Sequence, residues 1–169
     1  MTTRPTLEFP EALKSALNKI TVINGRSRRS EYWWTILAVW IVGWVFGLLG
    51  PIAYLLLKLA VIPITIRRLH DSGRSGWWYG VYFLLIIGFF FYMFVDLIWA
   101  GLSMCDNHCD MDDVWLLDGL LRYGVKFAFG GIVLLLYKIL LIVFLCQDSD
   151  MHRNRYGDSP KYESNEELR

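Results

Sequence analysis

"YWWTILAVWIVGWVFGLLGPIAYLLLKLAVIPITI", Tyr32 to Ile66, is the stretch on which the fold turns. As one helix it would run about 52 Å at 1.5 Å per residue, whereas a single crossing of the hydrocarbon layer needs only about 30 Å. Gly50-Pro51 interrupts it. Proline suits the first position of a helix, where its missing N–H leaves no bond unmade and its fixed φ is already helical. The sequence therefore predicts a tight hairpin of two helices, residues 32–49 and 51–67. A competing reading makes Pro51 a kink in one long crossing and lays residues 58–68 in the interface.

Two further runs, "WWYGVYFLLIIGFFFYMFVDLIWAGL" and "YGVKFAFGGIVLLLYKILLIVFLC", are each long enough and nearly uncharged enough to cross, which adds spans over 77–100 and 122–146. The composition agrees: of 169 residues 55% are hydrophobic and 20% charged, more apolar than an ordinary soluble domain. The first residues lack the basic-apolar-small order of a cleaved signal, so the first span is expected to be retained.

The net charge of +1 says little, but its distribution separates the two readings. With four crossings, Arg4, Lys14, Lys19, Arg26, Arg28 and Arg29 share one side with Arg67, Arg68 and Arg74 and with the tail cations Arg153, Arg155, Lys161 and Arg169. The connection "SMCDNHCDMDDVWLLDGLL" on the other side has five aspartates and no Lys or Arg. The positive-inside rule makes the basic side the cytoplasm. Three crossings would put the basic 67–76 turn outside. The expectation is an all-α polytopic membrane protein with four transmembrane helices, both termini cytoplasmic and residues 101–121 external.

Three segments follow from this. Residues 1–31 form a cytoplasmic N-terminal segment, 32–146 the four-helix transmembrane domain and 147–169 a cytoplasmic tail. In the first, Leu13, Ala16, Leu17 and Ile20 recur at helical spacing opposite Glu11, Lys14, Asn18 and Lys19. That pattern fits an interfacial amphipathic helix, or equally a surface helix packed on the bundle. Beyond Pro160 the tail is polar and expected to be disordered.

The chemistry concentrates in "IRRLHDSGRSGWW", Ile66 to Trp78. Arg67 and Arg68 close the second span, Gly73 and Gly76 permit a reversal, and Trp77-Trp78 open the third span at interfacial depth. "GRSRR" and "NRYG" bring Arg26, Arg28, Arg29 and Arg155 to the same side. Arginine dominates over lysine, and a guanidinium forks onto phosphate or carboxylate where an ammonium acts as a point charge. The expected ligand-binding set is Arg26, Arg29, Arg67, Arg68, His70, Asp71, Arg74 and Arg155, forming an electropositive pocket for an anionic lipid headgroup or a phosphorylated ligand. Alternatively the arginines fix topology and hold internal partners such as Glu31 and Asp71. His70-Asp71 invites an acid–base reading, but neighbours on a helix diverge by about 100° and no nucleophile is fixed beside them, so no catalytic residue is assigned. The chain shows no nucleic-acid motif.

"NGRSRRSEYWW", "IRRLHDSGRSGWW" and "NRYGDSP", in that order around paired spans, resemble the small bacterial inner-membrane proteins grouped as domain of unknown function 805. The resemblance covers roughly residues 9–160. It implies a four-helix protein of the inner (plasma) membrane with cytoplasmic motifs, and it brings no established activity. The Asp-rich outer connection is longer and more distinctive than the family leads one to expect, so nothing is carried over to it.

Charges within the spans need partners or a route to water, because ionised groups in hydrocarbon cost several kcal/mol. Lys58 and Lys138 are placed to snorkel toward inner-leaflet phosphates, or to line a polar path. Asp96 and Lys126 lie at comparable depth near the outer side and are expected to pair. In "CDNHCD", Cys105, His108 and Cys109 could hold zinc or copper, but without a second ligand pair a disulfide or free thiols rank above a metal site. Cys146 reads as a small apolar filler. No cofactor is expected. Two function classes remain: a non-enzymatic membrane module binding membrane lipids, an anionic ligand or a protein partner through the arginine face, and an oligomeric transporter or channel component using the intramembrane lysines.

Overall fold

The computed structural model of the chain describes residues 3–47, 50–106 and 113–162. Among them the protein is helical, with no strand beyond two isolated β-bridges. The helices are α1 (Phe9–Asn18), α2 (Arg29–Gly47), α3 (Pro51–Ala60), α4 (Ile62–Asp71), α5 (Trp77–Asp106) and α6 (Asp113–Cys146). Two of them carry stretches long and apolar enough to cross a membrane, Trp77–Leu102 and Leu121–Cys146, close to the spans expected over 77–100 and 122–146.

The helix is broken at Gly50-Pro51, as the sequence implies. Gly50 adopts φ +120°, a conformation that side chains other than glycine's rarely take, and Pro51 opens α3. The span expected over 51–67 differs. It is interrupted at Val61, giving two ten-residue helices, and it continues to Asp71. Pro63 explains the break, because it has no N–H to donate to the carbonyl four residues earlier. Arg67 and Arg68 accordingly sit inside the last turns of α4, which runs on to Asp71.

By packing, the chain divides into two units, residues 1–79 with 142–169, and residues 80–141. In the first, α1 packs on α2, and α2 on α3 and α4. Ala12 and Ala16 are buried on the packed side of α1, where their small size allows close approach, while Phe9 and Leu17 remain exposed. The unit's apolar core gathers Ala16, Tyr32, Val61, Ile64, Leu69, Phe144 and Leu145. Just past Pro160, Arg4 N donates to Lys161 O at 2.9 Å, and Thr3 and Tyr162 form a bridge; the rest of the tail expected to be disordered lies outside the described residues. In the second unit Phe89 fills the space beside Gly130, where a Cβ would stand 2.1 Å from its ring. Most of the large apolar side chains there face outward, Phe91 and Leu97 among them.

Candidate functional site: a buried arginine–aspartate clasp

The first unit's largest fully buried side chains include two arginines and an aspartate, Arg67, Arg68 and Asp71, all in the final turns of α4. Burying these ions would be prohibitive without partners. Asp71 has them. Its Oδ1 accepts from Arg26 Nε at 2.9 Å, and its Oδ2 accepts from Arg68 Nη1 and from the Ser149 hydroxyl. Its backbone oxygen takes Arg26 Nη2 at 3.2 Å and Asp150 N at 3.0 Å. Burial pushes the Asp71 carboxyl above the ordinary carboxylate range, while the Ser149 hydroxyl and the guanidiniums of Arg68 and Arg26 pull against that shift.

The remaining donors of both arginines go to backbone carbonyls of the segment after α6. Arg26 Nη2 reaches Asp150 O at 2.6 Å, and its Nη1 is shared between His152 O at 2.9 Å and Gly157 O at 3.3 Å. Arg68 Nε donates to Leu145 O at 3.0 Å and its Nη2 to Gln147 O. Three stretches distant in sequence are thereby tied at one carboxylate. The guanidinium fork is what makes this work, since each arginine aims parallel donors at a carboxylate and at carbonyls in fixed directions.

Around this centre, Glu31 accepts from Ser27 Oγ at 2.7 Å and from Ser15 Oγ at 3.1 Å, which fastens α1 and the start of α2. Arg67 Nη2 stands 3.9 Å from Glu31 Oε1, and its Nε and Nη2 make no hydrogen bond among the described residues. Arg28 donates to Pro5 O at 2.7 Å and Arg4 O at 2.9 Å, drawing in the N-terminal segment. His70 points away from Asp71, as the helical geometry requires. Its ring stacks on Tyr156 with centroids 3.6 Å apart and planes 3° from parallel, and its Nδ1 lies 3.3 Å from Gly25 O. Burial lowers its pKa from 6.5, with the Gly25 contact opposing and Arg155 assisting. Asn154 Nδ2 caps the His70 carbonyl at 2.9 Å.

Close backbone approach also matters here. At Gly76 a Cβ would meet Ile66 Cγ2 at 2.7 Å, and at Gly73, with φ +71°, it would lie 2.9 Å from Asp150 Oδ2. The glycines of the turn therefore serve packing against α4 and the tail segment as well as reversal.

The expected eight-residue set is split by the structure. Arg26, Arg67, Arg68, His70 and Asp71 are buried together, and the donors of Arg26 and Arg68 are occupied internally, so these two do not line an open anion pocket. The physical reason is that a carboxylate and a ring of carbonyls satisfy a guanidinium as well as a phosphate does. Arg29, Arg74 and Arg155 lie at the rim. Arg29 pairs with Asp148 at 3.2 Å and is half exposed; Arg74 lies 3.6 Å over the Phe144 ring and 3.1 Å from Gln147 Oε1; Arg155 leans on Tyr156. Lys161 donates to Asp148 at 2.6 Å, and that bond, with Ser149 N and Arg29 adding, holds the Asp148 carboxyl below the usual range. Gln147, Ser149, Asn154 and Tyr156 were not singled out from the sequence, although the "NRYGDSP" motif contains the last two.

Elsewhere, the expected Asp96–Lys126 pair forms, with Arg122 joining at 3.6 Å. Lys58 and Lys138 are both exposed, as is Cys146 at the end of the apolar stretch of α6. His108 and Cys109, and the side chain of Cys105, lie outside the described residues, so the thiol and metal alternatives there stand as stated.

Comparison with known proteins places these features in a family. The family model described as "Protein of unknown function (DUF805)" matches residues 20–158, which spans the clasp from its first arginine to the tail. Inner membrane protein YhaI of Escherichia coli (strain K12) is 29% identical over 162 residues, covering 89% of this chain and 96% of its own. Inner membrane protein YhaH of the same organism is 35% identical over 154 residues, covering 82% of this chain and 87% of its own. No solved structure matches. With most of its length matched and its relatives in the bacterial inner membrane, the chain belongs to the DUF805 family of proteins of unknown function.

Proposed function

We propose that this chain is a non-enzymatic module of the inner membrane that crosses four times, keeps both termini in the cytoplasm and presents a cytoplasmic arginine face to anionic lipid headgroups. The observation that carries the reading is the shared Asp71 carboxylate, because Arg26 precedes the first span, Arg68 follows the second and Ser149 follows the fourth. Segments that touch lie on one side of a bilayer, so the number of crossings between each pair is even. That supports the hairpin reading of residues 32–67 over the three-crossing alternative. The charge asymmetry makes the shared side cytoplasmic.

In this reading the buried arginines shape the face, and the rim does the binding. Arg29 and Arg155 are exposed and Arg74 half-buried, and Trp77, 73% exposed at the start of α5, carries an indole suited to headgroup depth. The exposed Phe9 and Leu17 of α1 fit the same interface. The test has two arms. A single cysteine at Ser72 should be labelled by impermeant reagent only from the cytoplasmic side, and labelling only from outside would remove the topology. Native mass spectrometry with phosphatidylglycerol should show weaker retention by an Arg29→Gln/Arg74→Gln/Arg155→Gln variant, while equal retention would remove the headgroup role.

A further inference from the structure

In the second unit a charged trio and an apolar groove share a tyrosine. Phe90, Met93, Phe94 and Leu97 of α5 and Tyr123 and Phe127 of α6 line a cavity of about 510 Å³. Lys126 Nζ stands 5.9 Å above the Tyr123 ring, donates to Asp96 and lies 5.4 Å from the Tyr92 ring. Arg122 Nη2 is 3.6 Å from the other Asp96 oxygen and 61% of its side chain is exposed.

Among the described side chains, two cations meet one carboxylate, which leaves one positive charge in excess. Among the described residues Lys126 donates to Asp96 with donors to spare, and the Arg122 fork meets Asp96 through one 3.6 Å contact. The order along the helices is amphiphilic. On α6 the residues run Arg122, Tyr123, Lys126, Phe127, from cation into groove. On α5 Asp96 stands next to Leu97 at the same end, and the groove continues back to Phe90, about 10 Å away along the axis. An occupant with an anionic head and an apolar tail matches this order; a purely apolar helix from a second copy would leave the excess charge unanswered, an expensive arrangement in hydrocarbon.

We infer that the α5–α6 groove is a binding site for one anionic phospholipid of the outer leaflet, its phosphate on Arg122 and Lys126 and an acyl chain along Phe90, Phe94 and Phe127. This rests on α5 and α6 lying in the bilayer as proposed above. A guanidinium and an ammonium together would favour phosphatidylglycerol over zwitterionic lipid, whose choline offsets the phosphate charge.

The test uses the full chain in nanodiscs containing trace photoactivatable phosphatidylglycerol or phosphatidylcholine, each with the reactive group in the acyl chain, and maps labelled peptides by mass spectrometry. Residues 90–97 and 123–127 should be labelled at least several-fold more by phosphatidylglycerol, and Arg122→Gln should bring that ratio to near one. This variant keeps the Asp96–Lys126 pair, so α5 and α6 stay joined. Equal labelling by both lipids in the wild-type protein would overturn the site while leaving the membrane topology intact, whereas absence of label from both would overturn the placement of α5 and α6 as well. A protein–protein crosslink from a photoreactive residue at Met93, with no lipid label, would assign the groove to a second copy and overturn the lipid site.

Discussion

Asp71 and Asp96 pose the same chemical problem, one carboxylate between two cations, and the two units solve it in opposite ways. Asp71 is fully buried, and Arg26, Arg68 and Ser149 converge on it from three distant stretches of chain. Asp96 keeps 15% of its side chain exposed and joins only α5 to α6, through Lys126 and Arg122. The difference is one of what else holds the unit. The first unit has a small apolar core and depends on directional bonds to bring its segments together. In the second, two long apolar helices meet at this carboxylate through two partly exposed cations. Both cations at Asp71 are buried guanidiniums whose forks also reach backbone carbonyls, whereas Asp96 is met by one ammonium and by the edge of one exposed guanidinium.

The comparison is broken most directly at its strong end. Asp71→Asn leaves two buried guanidiniums without a counter-charge and should destabilise the first unit by about 3–5 kcal/mol, the usual effect of removing one partner of a buried ion pair. Thermal unfolding in detergent measures it, and a change under about 1 kcal/mol would show that the clasp is not what holds these segments. Gly76→Ala should lose about 1–3 kcal/mol because its Cβ would stand 2.7 Å from Ile66, and Gly130→Ala should lose a similar amount in the second unit against Phe89. If the two alanine variants differ widely, the units do not pack with comparable density. Asp96→Asn should lower the melting temperature by less than Gly130→Ala does, and parity between Asp96→Asn and Asp71→Asn would erase the contrast altogether.

The smallest effect is expected from pH. Burial favours neutral His70 in the folded chain, so the unfolded chain binds more protons between the ordinary value of 6.5 and the lowered folded one. The stability contribution is full above 6.5 and declines as pH falls through that window. His70→Gln should flatten melting temperature against pH between 7.5 and 5.5, an interval of about two units centred on the histidine range. An unchanged slope would mean that the imidazole stacked on Tyr156 does not titrate there.

Much of the scaffold was legible from local signals. Gly50-Pro51 marks the hairpin because glycine and proline act through their own backbone, and the boundaries near Trp77 and Cys146 follow from where the apolar runs stop. Pro63 carried an equally local signal, but it sits in an unbroken apolar run where hydropathy outweighs it. The meeting of the three motifs followed from charge distribution alone. Their inward orientation did not, because a guanidinium suits carboxylate and phosphate alike, and most of its partners here are carbonyls that every residue type possesses. The bridge between Thr3 and Tyr162 had no signature beyond two backbone groups.

Because the clasp closes on those carbonyls, it also has a place in time. Arg26 and Arg68 emerge from the ribosome long before Leu145, Gln147, Asp150, His152 and Gly157, the contacts spanning up to 131 positions of sequence. Until the last of those residues has been synthesised, both guanidiniums lack most of their acceptors and the loop they anchor stays open to protease. Nascent chains arrested before Leu145 should be cut in the 67–76 turn, and chains extended past Tyr162 should resist, so closure of the clasp can be followed by limited proteolysis as the chain lengthens.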